Sequence, residues 1–544
     1  MSGRQGAPQS GIQSANPPQL IVLSQWKGQN NQAAQTAIDD QEVWWSENLI
    51  PLGPSNLRAL WGKGPTLATA PTGFSVVSMA GWASFAGGGT AHMIAFTSNG
   101  GGVDINLSTS GVTVWAADTF WVHASTSPYS LPIPVVQWGS SGVAILAPKG
   151  MFAWDGTTLT VPGTAAPTWL TNGATTNLYA PSSGIWQVTG AESFQGRLWY
   201  STTGTAGSLY GWSSPGNGAD LTGTAGSGSA TPTDPFLVSS VKSLVQGAGF
   251  LFVVGDNSLN AVNGVNTSGT PPVTTFTYAN VDPQVGAKIN QPPVRFGRAM
   301  AIFNEAGIYM LYGGAAQLAS QKIQSLYETI GAALSPTMGI AIIHGLKCVF
   351  ALVNVTDPFG ATRNILLGTT GQEWFVATQE VPLTLIATSQ IGSDSALYGT
   401  DGTNVFKLFA QPSSTLQKRL TTKSYGGRVP IVQKNFSRAY FLVQDINGGG
   451  VMMDVTAATN LGSQAVAVQM PQSFAVWTNA SDVVVTWQNS VPQNVAWQLP
   501  GISTKGIPLN GWGLQCALDI TTTAADFSMQ QIVLGYLEKQ LYGA

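Results

Sequence analysis

The chain has 544 residues, of which 44% are hydrophobic and only 9% are charged, whereas typical globular proteins have about 25% charged residues. This length accommodates two or three domains with cores of their own, and the hydrophobic content excludes a disordered chain. The net charge of −3, from 22 basic and 25 acidic residues, argues against a protein that grips nucleic acid, because such binding relies on Lys and Arg to neutralise phosphates.

Residues 1–55 are predicted to form an N-terminal arm. The first twenty residues are mostly Gly, Gln, Ser, Asn and Pro, a flexible composition. The segment AAQTAIDDQEVWWSENL follows and predicts a short helix that leads into an extended stretch. No signal peptide is visible, and the longest apolar stretch, MGIAIIHGLKCVFALVNV, contains His344 and Lys347 and stops short of a membrane span. We therefore expect no membrane segment and assembly in a cytoplasm.

Residues 56–410 are predicted to form a β-propeller. About seven β-hairpins recur at roughly 40 to 60 residues, the period of four-stranded propeller blades. Asp-Gly and Asn-Gly between apolar runs are strong hairpin signals because these residues accept a positive φ. The uneven spacing leaves the blade number open; six blades are favoured, and one or two large β-sandwiches are the alternative fold. The predicted turns lie at Asn99–Gly100, Asp155–Gly156, Gly204–Gly207, Asp256–Asn257, Asn304–Glu305, Asp357–Gly360 and Asp401–Gly402.

Residues 411–544 are predicted to form a second, C-terminal β domain. The stretch from Pro412 to Tyr425 is polar and lacks a β pattern, which is typical of a linker. Beyond it, runs such as SRAYFLVQDINGGGVMMDVTA, SQAVAVQM and LQCALDITTT suit an antiparallel β-sandwich. The overall expectation is an all-β protein, a propeller with an additional β-sandwich-like domain.

Catalytic signatures are missing from the sequence. His92, His123 and His344 lack metal-ligand spacing, and we interpret them as packed or hydrogen-bonded β residues. Cys348 and Cys516 are predicted to be buried, reduced thiols. There is no phosphate-binding loop and no Gly-x-Ser-x-Gly elbow, and the acidic residues of the propeller region fall mostly in turns. We expect no enzymatic activity, no cofactor and no metal.

One group of basic residues stands out in this basic-poor chain. Its members fall within about twenty residues, and a dense group of like charges creates a local field that attracts an acidic partner. One interpretation is an exposed linker and strand face; the other is an electrostatic contact with a neighbouring subunit or with passing DNA. The candidate interface residues are Lys418, Arg419, Lys423, Arg428, Lys434 and Arg438.

Several segments resemble the tail-nozzle, or tail-hub, proteins of short-tailed bacteriophages, a group that includes packaged-DNA stabilisation proteins. The segment WKGQNNQAAQTAIDDQEVWWSENLIPLG, with Asn48 and Gly53, resembles their opening. The strand Gly196-Arg197-Leu198, followed by Trp212 to Gly216, resembles one of their blades. The segments VSSVKSLVQGAGFLFVVGDNSLNAV and FGRAMAIFNEAGIYMLYGG resemble the next two, and LDITTTAADFSMQQIVLGYLEKQ resembles their closing strands.

The resemblance implies a structural virion protein, assembled in the bacterial host cytoplasm. It implies a homo-oligomeric ring, typically a hexamer, that contacts the portal or adaptor ring, tail fibres or spikes, and a needle or plug, and whose lumen conducts the genome during ejection. We expect that lumen to be neutral to acidic, because a basic lumen would hold the passing DNA. The alternative is a secreted β-propeller, either a carbohydrate-binding module or a glycosidase; a monomeric mass would favour it.

Overall fold

Short β-runs separated by Gly, Asp and Asn turns produce an all-β fold, as predicted. The predicted arm at 1–17 and the predicted turn at Gly204–Gly207 lie outside the described residues. The computed structural model describes residues 18–84, 89–123, 132–182, 184–203, 209–237, 240–287, 292–391, 394–429, 431–448, 450–470, 474–475, 487–488, 494–495, 499–500 and 502–538.

The first five strands are distributed over different parts of the fold. Their bounds are β1 (Gln19–Leu23), β2 (Val43–Glu47), β3 (Leu49–Pro51), β4 (Leu57–Ala59) and β5 (Thr66–Thr69). Strands β1, β3 and β4 belong to a β-sandwich, β2 lies between the sandwich and the propeller, and β5 is part of the propeller.

The propeller has seven four-stranded antiparallel blades among the described residues. Blades 1 to 3 are β6 (Val76–Ser84), β7 (Thr90–Thr97), β8 (Gly102–Asn106) and β9 (Val112–Trp115); β10 (Val135–Trp138), β11 (Gly142–Ala147), β12 (Gly150–Trp154) and β13 (Leu159–Thr160); and β14 (Val188–Phe194), β15 (Arg197–Thr202), β16 (Leu209–Trp212) and β17 (Gly228–Ala230). Blades 4 and 5 are β18 (Val241–Gly247), β19 (Phe250–Gly255), β20 (Leu259–Ser268) and β21 (Val273–Asp282); and β22 (Val294–Phe296), β23 (Ala299–Phe303), β24 (Ile308–Tyr312) and β25 (Ala315–Leu318). Blade 6 is β26 (Thr337–Ile343), β27 (Leu346–Thr356), β28 (Thr362–Thr369) and β29 (Trp374–Ala377), and blade 7 is β30 (Leu385–Ile391), β31 (Asp394–Thr400), β32 (Asn404–Lys407) and β5. Helix α1 (Thr168–Thr171) lies between blades 2 and 3, and a 3₁₀ helix (Ser320–Ile323) and α2 (Gln324–Tyr327) lie between blades 5 and 6.

The blades form a closed ring. Strand β5 precedes blade 1 in the chain but pairs antiparallel with β32 of blade 7, with Thr69 opposite Asn404. Every pair of neighbouring blades encloses an apolar core, including blades 7 and 1, where Met93 packs with Tyr398. The seven blades correct the six favoured from the sequence. Blade 2 spans 135–160 whereas blade 3 spans 188–230. Because the blades differ so much in length, the spacing of the hairpins did not determine the number of blades.

The predicted hairpin turns that fall among the described residues lie where the sequence indicates. Gly156 joins β12 to β13 with a φ of 95°, and Gly402 joins β31 to β32 with a φ of 97°. The side chain of Asp155 accepts hydrogen bonds from the backbone N–H groups of the next turn residues at 2.7–2.8 Å, and Asp401 does the same at 2.7–2.9 Å. These acidic residues therefore stabilise turns, as short polar side chains that bond their own backbone commonly do.

The innermost strand of each blade exposes a backbone edge, and side chains of neighbouring blades hydrogen-bond to it. Gln137 Oε1 accepts the N–H of Ala83 at 3.1 Å, which joins blades 2 and 1. Thr388 Oγ1 accepts the N–H of Ile340 at 2.7 Å, which joins blades 7 and 6. Such bonds satisfy edge groups that would otherwise be unpaired, and they lock the blades in register.

The rest of the chain completes the sandwich. Its remaining strands, with two short pairs (β37 with β40 and β38 with β39), are β33 (Lys418–Thr422), β34 (Lys434–Asp445), β35 (Met452–Thr459), β36 (Gly462–Gln469), β37 (Phe474–Ala475), β38 (Trp487–Gln488), β39 (Asn494–Val495), β40 (Leu499–Pro500), β41 (Ile502–Gly513), β42 (Cys516–Thr522) and β43 (Phe527–Glu538). One sheet has the order β3-β4-β43-β34-β41, with β1 also on β43, and the facing strands are β2-β33-β42-β35-β36. Phe436, Phe441 and Ile520 are among the buried residues between them.

For residues 18–55, the prediction of a separate N-terminal arm is wrong, because strands from this segment pair with C-terminal strands of the sandwich. Strand β1 lies antiparallel to β43, with Leu20 opposite Gly535, and the predicted short helix is replaced by turns that lead into β2. From β1 onward, the described chain therefore runs from the sandwich through the propeller and returns to the sandwich. Burial of apolar β1 and β2 residues against the distant C-terminal strands outweighs the local flexibility of this segment.

Blade 6 and half of the sandwich share one nine-stranded sheet, because β2 lies between them. Glu47 of β2 is opposite Val376 of β29 in parallel, and Trp45 is opposite Thr421 of β33 in antiparallel pairing. Asn48, which follows β2 with a φ of 57°, donates its side-chain amide to Thr378 Oγ1 and to the carbonyl of Gln417, both at 2.7 Å. The two modules are thus joined by backbone pairing as well as by a covalent chain.

Candidate functional site

Two of the six basic residues predicted at an interface are buried inside the sandwich. Lys418 and Lys434 are both 0% exposed. Lys418 Nζ donates to the carbonyl of Ser413 at 2.6 Å, and Lys434 Nζ donates to the carbonyls of Val429 and Val432 at 2.6 Å. Each amine therefore ties a connecting segment to the start of a strand, and neither is available to a partner.

Two further residues of the group make ion pairs within the chain. Arg419 forms a bidentate pair with Asp519 at 2.8–2.9 Å, and its guanidinium lies 3.3 Å from the ring centroid of Phe359. Phe359 lies in the turn after β27 of blade 6, so this cation–π contact links the sandwich to the propeller. Lys423 Nζ lies 2.8 Å from Asp40. The contact made by Arg419 is between two modules of one chain.

Arg428 and Arg438 are the exposed members of the group. Arg428 uses its backbone N–H to bond the hydroxyl of Tyr536 at 3.3 Å, and Arg438 donates to the hydroxyl of Tyr440 at 3.4 Å. Neither guanidinium has a carboxylate within 4.0 Å in the described part of the chain. An intermolecular electrostatic contact therefore remains a prediction for these two residues.

The buried amine of Lys418 predicts a specific pH dependence of stability. Burial lowers its pKa from an ordinary value of 10.5 to about 8, and the nearby charges of Glu380 and Asp526 oppose this only in part. Between these two values the unfolded chain retains a proton that the folded chain has lost, so this residue makes the free energy of unfolding rise with pH. Subtracting the urea-unfolding free energies of Lys418→Met from those of the wild type should leave a difference that grows from pH 8 towards pH 10.

The matched control is Lys505→Met, because Lys505 is exposed on β41. Its difference from the wild type should not change with pH over the same range. The comparison between variants cancels the titration of the buried tyrosines and thiols, whose raised pKa values lower stability at high pH. Parallel curves for the wild type and Lys418→Met would contradict the prediction.

His92, interpreted as a hydrogen-bonded β residue, belongs to a buried network in blade 1. Its Nδ1 lies 2.9 Å from Asp104 Oδ2, and its Nε2 lies 3.1 Å from Thr90 Oγ1. Trp82 Nε1 donates to Asp104 Oδ1 at 3.0 Å, and the rings of Trp82 and His92 stack at 4.3 Å. The hydroxyl of Thr90, the imidazole of His92 and the carboxylate of Asp104 thus follow one another in the order found in a nucleophilic catalytic triad.

The surroundings of this network favour a structural role. His92 is 4% exposed and Asp104 is 2% exposed. The turn at Gly156 of blade 2 covers the rings so closely that a Cβ there would lie 3.6 Å from Trp82 and 3.8 Å from His92. Because these side chains are buried beneath the turn of the neighbouring blade, the network is best explained as a polar clamp between blades 1 and 2.

His344 and the two thiols also lie in structural environments. His344 occupies the turn between β26 and β27, and its Nε2 lies 3.2 Å from the carbonyl of Ala59; burial is the first cause of its lowered pKa. Cys348 and Cys516 are free and buried, as predicted, and burial raises both thiol pKa values to about 12. Within the described ranges, no three His, Cys, Asp or Glu residues are grouped as metal ligands, and no helix is long and apolar enough to span a membrane.

The outer face of the six-stranded sheet is a surface that the sequence analysis missed. Leu20 is 61% exposed there and Trp512 is 47% exposed. We call this surface the outer apolar face. It consists of three rows of residues that lie opposite one another on neighbouring strands: Val22–Val533–Tyr440–Gly506, Leu20–Gly535–Arg438–Pro508 and Leu537–Asn435–Trp512. Arg438 is the single charged residue in these rows. The alternation of LIVL in β1 was the available signal, but it becomes informative only once β1 is known to pair with β43.

No protein-family model and no curated protein match the chain. Similar solved structures include the WD40 repeats of RRP9 (6% identity, TM-score 0.38, covering 64% of this chain and 99% of that chain). They also include BBS1N in complex with ARL6DN (10% identity, TM-score 0.37, 65% and 98%) and the N-terminal domain of Nup159 (9% identity, TM-score 0.32, 67% and 98%). These likenesses concern the β-propeller fold alone.

Proposed function

We propose that this chain is a non-enzymatic structural subunit of a ring-shaped tail nozzle or hub in a short-tailed bacteriophage. The ring, a homohexamer, conducts DNA during genome ejection. It joins the portal or adaptor ring to tail fibres or spikes and to a needle or plug. The subunit is made in the host cytoplasm and resides in the virion tail. The proposal takes its phage assignment from the sequence resemblance and its assembly role from the surfaces described above.

The outer apolar face is the observation that carries the assembly role. Exposed apolar side chains such as Leu20 and Trp512, in cross-strand rows whose one charged residue is Arg438, are costly for an isolated protein and are typical of an interaction surface. In a chain with only 9% charged residues, a second copy of the same chain is the occupant we assign to it. The shared nine-stranded sheet supports the same role, because it makes propeller and sandwich one body able to transmit force.

The conduit in this proposal is the axis of the ring and not the channel of a single propeller. Arg295 of blade 5 reaches Glu192 of blade 3 at 2.6 Å, and the same carboxylate accepts the backbone N–H of Gln246 in blade 4 at 3.2 Å. The inner ends of three blades therefore converge on one carboxylate. A duplex passes more readily between subunits than through such a closed inner wall.

The mass of the purified assembly tests the proposal. We expect particles near six times 56.7 kDa by mass photometry. The double variant Leu20→Lys, Trp512→Lys should yield mainly monomers, because two charges would have to be desolvated in the contact. Ile185→Lys is the matched control, since Ile185 is 65% exposed on the propeller and should leave the ring intact.

Two outcomes would count against the proposal. A monomeric wild type would favour the secreted carbohydrate-binding propeller. Hydrolysis of a bacterial polysaccharide by the purified protein, abolished by one carboxylate substitution, would favour the glycosidase. Images of the assembled particle by electron cryo-microscopy would show which surfaces meet the neighbouring rings.

A further inference from the structure

A cavity of about 520 Å³ lies where blades 4 and 5 meet, at the ends of their innermost strands. Its floor is formed by Phe252, Met300 and Leu311, which are only 2–4% exposed. Gln246, Arg295 and Arg298 form part of its wall. This volume lies in the range of small-ligand pockets, which are typically apolar with a few polar groups that fix orientation.

Three turn glycines keep the mouth of the cavity open. Gly249, Gly297 and Gly313 have φ values of 86°, 61° and 63°, and all three border the cavity. No heavy atom lies within 4 Å of the place where a Cβ would stand at any of them. The turns therefore form a low rim, and an extended chain segment can approach the floor without displacing a side chain there.

The charge of the cavity is positive. Arg295 is matched by Glu192 at 2.6 Å. Arg298 is exposed and has no carboxylate within 4.0 Å among the described residues. No acidic residue lines the cavity. One guanidinium with five N–H donors is thus available beside an apolar floor, and guanidinium groups bind carboxylates in a bidentate manner.

We propose that this cavity binds a peptide segment of another polypeptide in which a carboxylate stands next to an apolar side chain. The carboxylate pairs with Arg298, and the apolar side chain covers Phe252 and Met300. Nucleic acid fits less well, because a single free guanidinium neutralises little phosphate charge. The site does not depend on ring formation, so it goes beyond the proposed structural role.

The test uses the full-length protein and two blocked tripeptides, acetyl-Leu-Asp-Leu-amide and acetyl-Leu-Asn-Leu-amide, titrated by ligand-observed NMR. We expect the acidic peptide to bind about tenfold more tightly than the amide, since charged hydrogen bonds are roughly twice as strong as neutral ones. Arg298→Gln should bring the two affinities together. Lys407→Gln, a change of an exposed basic residue at the end of β32 in blade 7, should leave the ratio unchanged.

The same titration distinguishes other ligands. Equal binding of both peptides, or no binding of either at millimolar concentration, would overturn the proposal. Inorganic phosphate at the concentration of the acidic peptide should not displace that peptide. If it does, the cavity binds anions in general, and the proposal of a peptide site is wrong. Binding of a short DNA duplex that is lost in Arg298→Gln would assign the arginine to nucleic acid instead. The mass of each sample, measured in parallel, reports ring assembly separately.

Discussion

Arg363→Met is expected to lower the free energy of unfolding by about 3 kcal/mol, the lower end of the cost of breaking a buried ion pair by removing one partner, because the arginine side chain is itself 33% exposed. Arg363 of β28 donates to both carboxylate oxygens of Glu47 at 2.6 and 2.7 Å and to Asp357 at 3.0 Å. Both carboxylate side chains are at most 6% exposed. Methionine, of similar length, leaves these two buried carboxylates without a cationic partner.

The effect should extend beyond blade 6, because Glu47 lies on β2, the strand shared with the sandwich. Trp45 Nε1 also donates to Glu47 at 3.0 Å, so loss of the pair loosens the packing on both sides of the joining strand. Calorimetry should resolve separate transitions for propeller and sandwich in the variant. Arg428→Met, at an exposed arginine, is the control, and a change in the urea midpoint no larger than that of the control would refute this account.

Asp104→Ala is expected to lower the free energy of unfolding by about 2–6 kcal/mol, since an unsatisfied buried polar group costs about 1–3 kcal/mol and two are created. The indole N–H of Trp82 and Nδ1 of His92 both depend on this carboxylate. Asp104→Asn keeps an acceptor for one of them, so its loss should be intermediate. Urea unfolding followed by tryptophan fluorescence measures both.

Asp454→Ala is the matched control for this series, because Asp454 is exposed on β35 and exposed substitutions usually change stability by less than about 0.5 kcal/mol. A catalytic role for His92 makes a different prediction. It requires that Asp104→Asn abolish a hydrolytic activity while stability is nearly unchanged. Full stability in Asp104→Ala would show that the network does not clamp blades 1 and 2.

Local chemistry was sufficient to predict the strand content and the turns. The glycines at 156 and 402 have the positive φ that the Asp-Gly hairpin signal requires, and the acidic side chains before them bond their own turns. These features depend on residues two or three apart in the sequence. For the same reason the buried state of Cys348 and the hydrogen-bonded state of His92 followed from the apolar runs around them.

By itself, the sequence determined an all-β chain with a propeller and a second β unit, because turn chemistry and alternation are local. Only the tertiary structure decided the seven blades, the place of the N-terminal strands and the fate of the basic residues. Strand β5 closes a blade more than 300 residues away, with Thr69 opposite Asn404, and β1 pairs with the last strand. Lys418 and Lys434 are buried, and backbone carbonyl groups that accept hydrogen bonds from their amines compensate for the loss of water. Charge along a sequence does not reveal whether a lysine is buried, since burial depends on which distant strands meet.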